Sequence, residues 1–258
     1  IGVEVMGEAR RVLAALDVCS SLNFELVDWD LGAERYLRDG TAISDEEFHS
    51  LENDYDAVFL GALGDPRVPG MEHIKAILLG LRFKLDLYVN FRPCVLSVPS
   101  LSPLAGIQSS FRIDTFRENT EGLYTGLGGS FKTGTPDEIA IEKDIHTRKG
   151  VERIVRAAFE YAESRGRKRV TLVDKANVQE FVGGLWRKVF FEVGLDHPGI
   201  LHDTMYVDAM AMDLVRRPES YEIIVTSNLF GDIISDLAAE VTGGLGLAPS
   251  ANIHPGEY

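Results

Sequence analysis

Cysteine is scarce. Cys19 and Cys94 are the only two in 258 residues, and they form no CxxC pair. This excludes a disulfide framework or a zinc knuckle as the organising device, and a reducing cytoplasm is the expected compartment. Long apolar runs are also missing. The longest, around residues 76–81, falls far short of the roughly 18 residues a membrane helix needs, so no membrane partner is expected, and no signal peptide is recognisable. Positive charge is sparse as well: 26 Lys and Arg stand against 40 Asp and Glu, a net charge of −14. A nucleic-acid backbone demands a basic footprint, so it is excluded as a partner. An anionic small molecule would need a local cluster of arginine or lysine set against the global field. Common chemical fingerprints are absent. Gly126-Leu127-Gly128-Gly129-Ser130-Phe131 fails GxGxxG at its last position, and no GxxxxGK[ST], GxSxG or HExxH occurs. The six histidines show no ligand spacing.

What is present is an ordinary globular composition, 45% hydrophobic and 26% charged, enough for one large core or two modest domains. Residues 3–16 carry Val5, Ala9, Val12, Leu13 and Leu16 at helical spacing. Residues 24–28 alternate as a strand does. Ser44-Asp45-Glu46-Glu47 has the pattern of a capping box. Residues 57–60 predict a short buried strand that ends in Gly61-Ala62-Leu63-Gly64-Asp65-Pro66, and a helix follows to about residue 82. Strands are predicted at 112–117, 170–173 and 223–226, helices at 146–165, 184–193 and 231–241. Residues 122–143, rich in Gly and Thr, suggest a hairpin arm. Alternating strands and helices make the class α/β with substantial parallel pairing.

Three groups of residues could carry chemistry. Asp232 and Asp236 are spaced i,i+4, so their carboxylates share a helix face, and Asp208 precedes another predicted helix. Three hard oxygen donors suit Mg²⁺ or Mn²⁺ better than zinc. An acidic helix face, or a dipole partner at a helix start, would look the same. Arg82, Arg92 and Arg117 could grip carboxylates with planar guanidinium groups, or pair on the surface. Lys175 follows a strand, where α/β proteins place their chemistry, and could act as a base. Tyr124 follows a glycine-containing turn and could donate a proton. Each is more often structural when taken alone.

The ordered set says more. Gly61-Ala62-Leu63-Gly64-Asp65-Pro66, Asp86-Leu87-Tyr88-Val89-Asn90-Phe91-Arg92-Pro93, Arg117-Glu118-Asn119-Thr120-Glu121-Gly122-Leu123-Tyr124 and Asp174-Lys175-Ala176-Asn177-Val178 resemble segments of the isocitrate/isopropylmalate dehydrogenase family. So do Tyr206-Val207-Asp208-Ala209-Met210, Asn228-Leu229-Phe230-Gly231-Asp232-Ile233-Ile234-Ser235-Asp236 and Gly243-Gly244-Leu245-Gly246-Leu247-Ala248-Pro249-Ser250-Ala251-Asn252. The resemblance spans nearly the whole chain in order.

It implies a non-Rossmann α/β fold of two domains with a shared central sheet region. Residues 1–87 and 243–258 would form a large, cofactor-side domain, incomplete here, and 88–242 a small one. A β arm over 122–143 would clasp a homodimer with shared active sites. Arg82, Arg92 and Arg117 would hold the substrate carboxylates, and Asp208, Asp232 and Asp236 the metal. Lys175 and Asp208, reaching in from the partner subunit, would help remove the hydroxyl proton, and Tyr124 would protonate the enolate left by CO₂. Gly61, Gly64 and Asn177 would face NAD. Leu78 and Leu79 would meet the substrate's variable group, and an apolar pair suits the isopropyl group of 3-isopropylmalate, made into 2-oxoisocaproate in leucine biosynthesis. Lys75 departs from the glutamate often found there in isopropylmalate enzymes, and the 117–122 segment leans toward the tartrate, D-malate and homoisocitrate branches. A D-malate or tartrate enzyme is therefore the alternative, and a non-catalytic or truncated member of the family is a further reading. Both ends look cut. The family's first strand would precede Ile1, and its adenosine-binding loop would follow Tyr258.

Overall fold

Helical periodicity and turn chemistry place most of the elements. The computed structural model describes residues 2–20 and 22–256, and contacts divide the chain into two units between Leu85 and Asp86.

The first unit is helical. It holds α1 (Gly2–Ser20), α2 (Ala33–Asp39) and α3 (Asp45–Asn53). The expected capping box starts α3: Ser44 Oγ accepts from the Glu47 N–H at 3.2 Å, and the Glu47 carboxylate accepts from the Ser44 N–H at 2.7 Å. Beyond it run α4 (Glu72–Ile74), a π-helical turn (Lys75–Leu79) and α5 (Gly80–Lys84). The expected strands at 24–28 and 57–60 are not strands. Both run as irregular chain, with Phe24, Leu26, Val27, Val58 and Phe59 exposed. Alternation sets which face a segment could bury, but a ladder needs a partner for its N–H and C=O groups. Neither segment pairs with a strand among the described residues.

The second unit is built on a six-stranded mixed sheet. Its strands are β1 (Val89–Leu96), β2 (Phe111–Glu118), β5 (Arg169–Asp174), β6 (Leu201–Tyr206), β7 (Ile223–Thr226) and β8 (Ala251–Ile253), in the order β6-β5-β7-β2-β1-β8. The β5, β6, β7 and β2 neighbours are parallel, whereas β1 runs antiparallel to both β2 and β8. Two of these strands escaped the sequence reading. β6 contains His202, Asp203 and Thr204 between Leu201 and Met205, too polar for a buried run, and β8 spans three residues. The arm is a separate hairpin, β3 (Gly128–Phe131) with β4 (Ile139–Glu142), all of it exposed.

Helices cover both faces of the large sheet. Residues of α6 (Arg148–Ser164) and α7 (Glu180–Gly194) pack with Val170, Leu172, Ile223 and Val225. Residues of α8 (Val207–Arg216) and α9 (Asn228–Val241) pack with Val173 and Ile224 on the other face. The period-2 alternation along β5 and β7 thus feeds two cores. Phe159 is fully buried in the first, against Phe190 at 5.5 Å between ring centres. Phe159→Ala should therefore cost about 3–5 kcal/mol of unfolding free energy in a urea titration, as truncation of a core aromatic does.

Candidate functional site

Topology assembles the site at the ends of parallel strands. Arg117 near the end of β2 is in register with Thr226, the last residue of β7. The chain then turns through Ser227 into α9, so the first turns of that helix come over Arg117. On the other side Arg117 is in register with Asn90 of β1, two residues before Arg92. Strands thus supply two guanidinium groups, and one helix supplies the acids opposite them.

The contacts are close. Arg117 is 1% exposed. Its Nε donates to Asn228 Oδ1 at 2.9 Å, and its Nη1 donates to Asp232 Oδ1. Arg92 donates to Asp236 at 2.7 Å, Ser235 Oγ at 3.0 Å, Asn90 Oδ1 at 2.9 Å and Asp232 at 3.4 Å. Tyr124, on the 3-10 turn Gly122–Thr125, donates its hydroxyl to Asp232 Oδ2 at 2.9 Å. Its ring also lies 5.2 Å from the Arg117 guanidinium. Asp232 therefore receives three donors. Burial pulls the Arg117 pKa down, against the opposing pull of Asp232. Burial first and the Asp232 carboxylate second push the Tyr124 phenol above its ordinary value.

Lys175 and Asp208 form a second cluster. Asp174 of β5 is in register with Tyr206 of the parallel strand β6, so the residues just beyond both strands are neighbours. Lys175 Nζ lies 2.7 Å from Asp208 Oδ1, and that hydrogen bond holds the Asp208 carboxyl below the usual range. Asp208 sits in the first turn of α8. Among the described residues, no three His, Cys, Asp or Glu side chains come together closely enough to hold a metal. Within one chain, then, Asp232 and Asp236 stand together and Asp208 stands apart. The donors present still fit a hard divalent cation. They are carboxylate oxygens, and Arg92 bridges Asp232 and Asp236 where another positive charge could sit.

The remaining expected residues fall elsewhere. Arg82, on α5, is 7% exposed, and Leu78 and Leu79 are half-buried on the π-helical turn of the first unit. The extra residue in a π turn widens the backbone, a device frequent at functional sites. Gly61 and Gly64 line a cavity of about 890 Å³ within that unit, bounded by α1 and the irregular runs near Trp29 and Val58. Asn177 is exposed beyond β5. Sequence reasoning missed Asn90, Asn228 and Ser235, which hold the two guanidinium groups. Asn228, following a strand at a helix start, carried a usable signal; Asn90 and Ser235 carried none.

This arrangement sets two arginines from neighbouring strands of a mixed sheet against the paired aspartates of one helix. The chain belongs to the isocitrate/isopropylmalate dehydrogenase family, whose model matches residues 1–258. It is 46% identical over 255 residues to a 3-isopropylmalate dehydrogenase of Streptomyces griseus, covering 99% of this chain and 73% of that protein. It is 49% identical over 258 residues to the enzyme of that name from Corynebacterium jeikeium, covering 99% and 74%. Among solved structures, isocitrate dehydrogenase from Methylococcus capsulatus superposes with a TM-score of 0.78 at 38% identity, over 90% of this chain and 67% of that one. The TT0538 protein from Thermus thermophilus gives 0.82 at 33%, over 96% and 48%.

Gly231 faces Arg117, and a Cβ there would stand 2.6 Å from Arg117 Cγ. Alanine is the better helix former by about 1 kcal/mol, yet Gly231→Ala should lower stability in denaturant titration. An unchanged or raised midpoint would mean that Arg117 is not wedged against α9.

Proposed function

We propose that the chain catalyses the oxidative decarboxylation of 3-isopropylmalate to 2-oxoisocaproate, with NAD as the hydride acceptor and Mg²⁺ or Mn²⁺ as the metal. The observation that carries this reading is the single hydrogen-bonded cluster of Arg92, Arg117, Tyr124, Asp232 and Asp236, in a chain 43–49% identical to proteins named for that activity. The step belongs to leucine biosynthesis in the cytoplasm.

Arg82, Arg92 and Arg117 bind the two substrate carboxylates, the last two by releasing Asp232 and Asp236. Asp232 and Asp236, with Asp208 of a second subunit, would hold the divalent cation, whose chemistry there would be that of a Lewis acid. Lys175, poised on Asp208, takes the hydroxyl proton as the C2 hydrogen leaves as hydride, for which NAD would be the acceptor, so that C2 becomes a carbonyl. The carboxylate β to that carbonyl then leaves as CO₂, its bonding pair forming the enolate, and the Tyr124 hydroxyl protonates the enolate carbon. Leu78 and Leu79 enclose the isopropyl group, at roughly 0.8 kcal/mol for each buried CH₂ or CH₃. Gly61, Gly64 and Asn177 are the residues proposed to face NAD.

The active form is a homodimer clasped by the β3–β4 arm, whose exposed Leu127, Phe131, Ile139 and Ile141 offer apolar surface to a second copy. By task, residues 1–87 with 243–258 form the cofactor-side domain and 88–242 the small one, a grouping that differs from the contact boundary after Leu85.

With Mn²⁺ and NAD, the full-length protein should turn over 3-isopropylmalate in preference to D-malate, tartrate and isocitrate. Failure to turn over 3-isopropylmalate would sink the reading. Leu79→Arg should shift the ratio of kcat/KM values toward substrates with an acidic substituent, and unchanged ratios would remove Leu79 from the pocket. The Tyr124 phenol holds its proton above the ordinary tyrosine value of 10.0. Proton donation by Tyr124 should therefore impose no alkaline limb below about pH 10 on kcat/KM, which reports the free enzyme; a limb that Tyr124→Phe abolishes at lower pH would contradict this.

A further inference from the structure

Outside the site, Asp144 is hydrogen-bonded to Gln179 of the Lys175 turn and packs, with His146, against Gly122 of the Tyr124 turn. Asp144 and His146 stand between β4 and α6, and no step of the proposed reaction uses either. Asp144 Oδ1 lies 2.8 Å from His146 Nε2, and Asp144 Oδ2 accepts from Gln179 Nε2 at 2.8 Å. Trp186 Nε1 lies 3.2 Å from His146 Nδ1. An indole N–H only donates, so Nδ1 is the acceptor and Nε2 must carry the proton given to Asp144. Its neighbours thus fix the tautomer of a ring whose side chain is 1% exposed.

One end of this network meets the Tyr124 turn. Gly122 has φ +82, and a Cβ there would come within 3.4 Å of both Asp144 Oδ1 and His146 Cε1. The Gly122 N–H donates to the Ile145 carbonyl at 2.9 Å, and Glu121 accepts from the Thr147 N–H at 2.8 Å and its hydroxyl at 2.5 Å. Tyr124 follows on the same turn, closed by Thr125 Oγ1 donating to the Gly122 carbonyl at 2.9 Å. The other end meets the Lys175 turn. The Gln179 N–H donates to the Lys175 carbonyl at 2.8 Å, while the Gln179 side chain holds Asp144.

We infer that Asp144, His146, Gln179 and Trp186 form a positioning network that sets Tyr124, and through Gln179 also Lys175, for proton transfer. The inference rests on the reading that Tyr124 is the proton donor. Positional errors of an ångström at reacting groups cost turnover steeply, whereas the network touches no group proposed to bind substrate carboxylates.

The test is a double-mutant cycle on the full-length enzyme with Mn²⁺, NAD and 3-isopropylmalate. Trp186→Phe removes the N–H and keeps an aromatic, though smaller, ring in the core, and His146→Gln keeps a donor for Asp144. Each should lower kcat about tenfold with KM within about twofold. In a Tyr124→Phe background each should change kcat by less than about twofold, because the group they place is gone. Gln179→Leu should behave in the same way against Lys175→Met. Equal losses in both backgrounds would mean a purely structural network and overturn the inference, as would unchanged kcat in the parent background. Should Tyr124→Phe alone turn over like the parent, the reading of the site itself would fall, and this inference with it. If His146→Gln fails to fold, Trp186→Phe carries the same comparison.

Discussion

The ion pair between the buried Arg117 and the partly exposed Asp232 is the interaction on which the site depends. A guanidinium that is 1% exposed demands a counter-charge, because an unpaired buried charge costs several kcal/mol. Asp232 provides it from one side, and Asn228 satisfies Nε from the same helix. Asp232 in turn collects Tyr124 and Arg92, and Arg92 collects Asp236. The cluster is therefore charge-balanced by itself. Arginines and aspartates neutralise one another within a chain of net charge −14.

That balance suggests what the site exchanges for. A dicarboxylate alone would meet Asp232 and Asp236 and be repelled. A divalent cation alone would meet Arg92 and Arg117 and be repelled. Together they replace the internal pairs with like-for-like ones, carboxylate to guanidinium and aspartate to cation, at no net change in buried charge. Substrate and metal should for that reason favour each other's binding. Asp208, held on Lys175, fits the role of completing the cation's ligands in a second copy.

How far the sequence reached follows from what each signal encodes. Local signals were reliable: the Ser44 capping box, the amphipathic α6, the 223–226 strand, and the i,i+4 pair on α9 that becomes the Asp232–Asp236 face. Pairing was not legible. Residues 24–28 and 57–60 alternate like strands yet lack a ladder, and β6 forms although it is polar, because β5 offers it a parallel edge. The aspartates illustrate the same limit. Spacing placed Asp232 and Asp236 together but could not distinguish a solvated face from a site, since the guanidinium groups opposite them come from strands more than a hundred residues earlier in the chain. The order of motifs across the family resemblance is what favoured a site. It left Asn90, Asn228 and Ser235 unseen, because single polar residues that brace an arginine have no pattern of their own.

The most direct measurement is a crystal structure of the full-length protein with Mn²⁺ and 3-isopropylmalate, the ion located by its anomalous signal. The account predicts one ion per site held by Asp232 and Asp236 of one subunit and Asp208 of the other, with Arg92 and Arg117 moved from the aspartates to the substrate carboxylates. An ion bound elsewhere, or an Arg117–Asp232 pair still closed beside bound substrate, would contradict it.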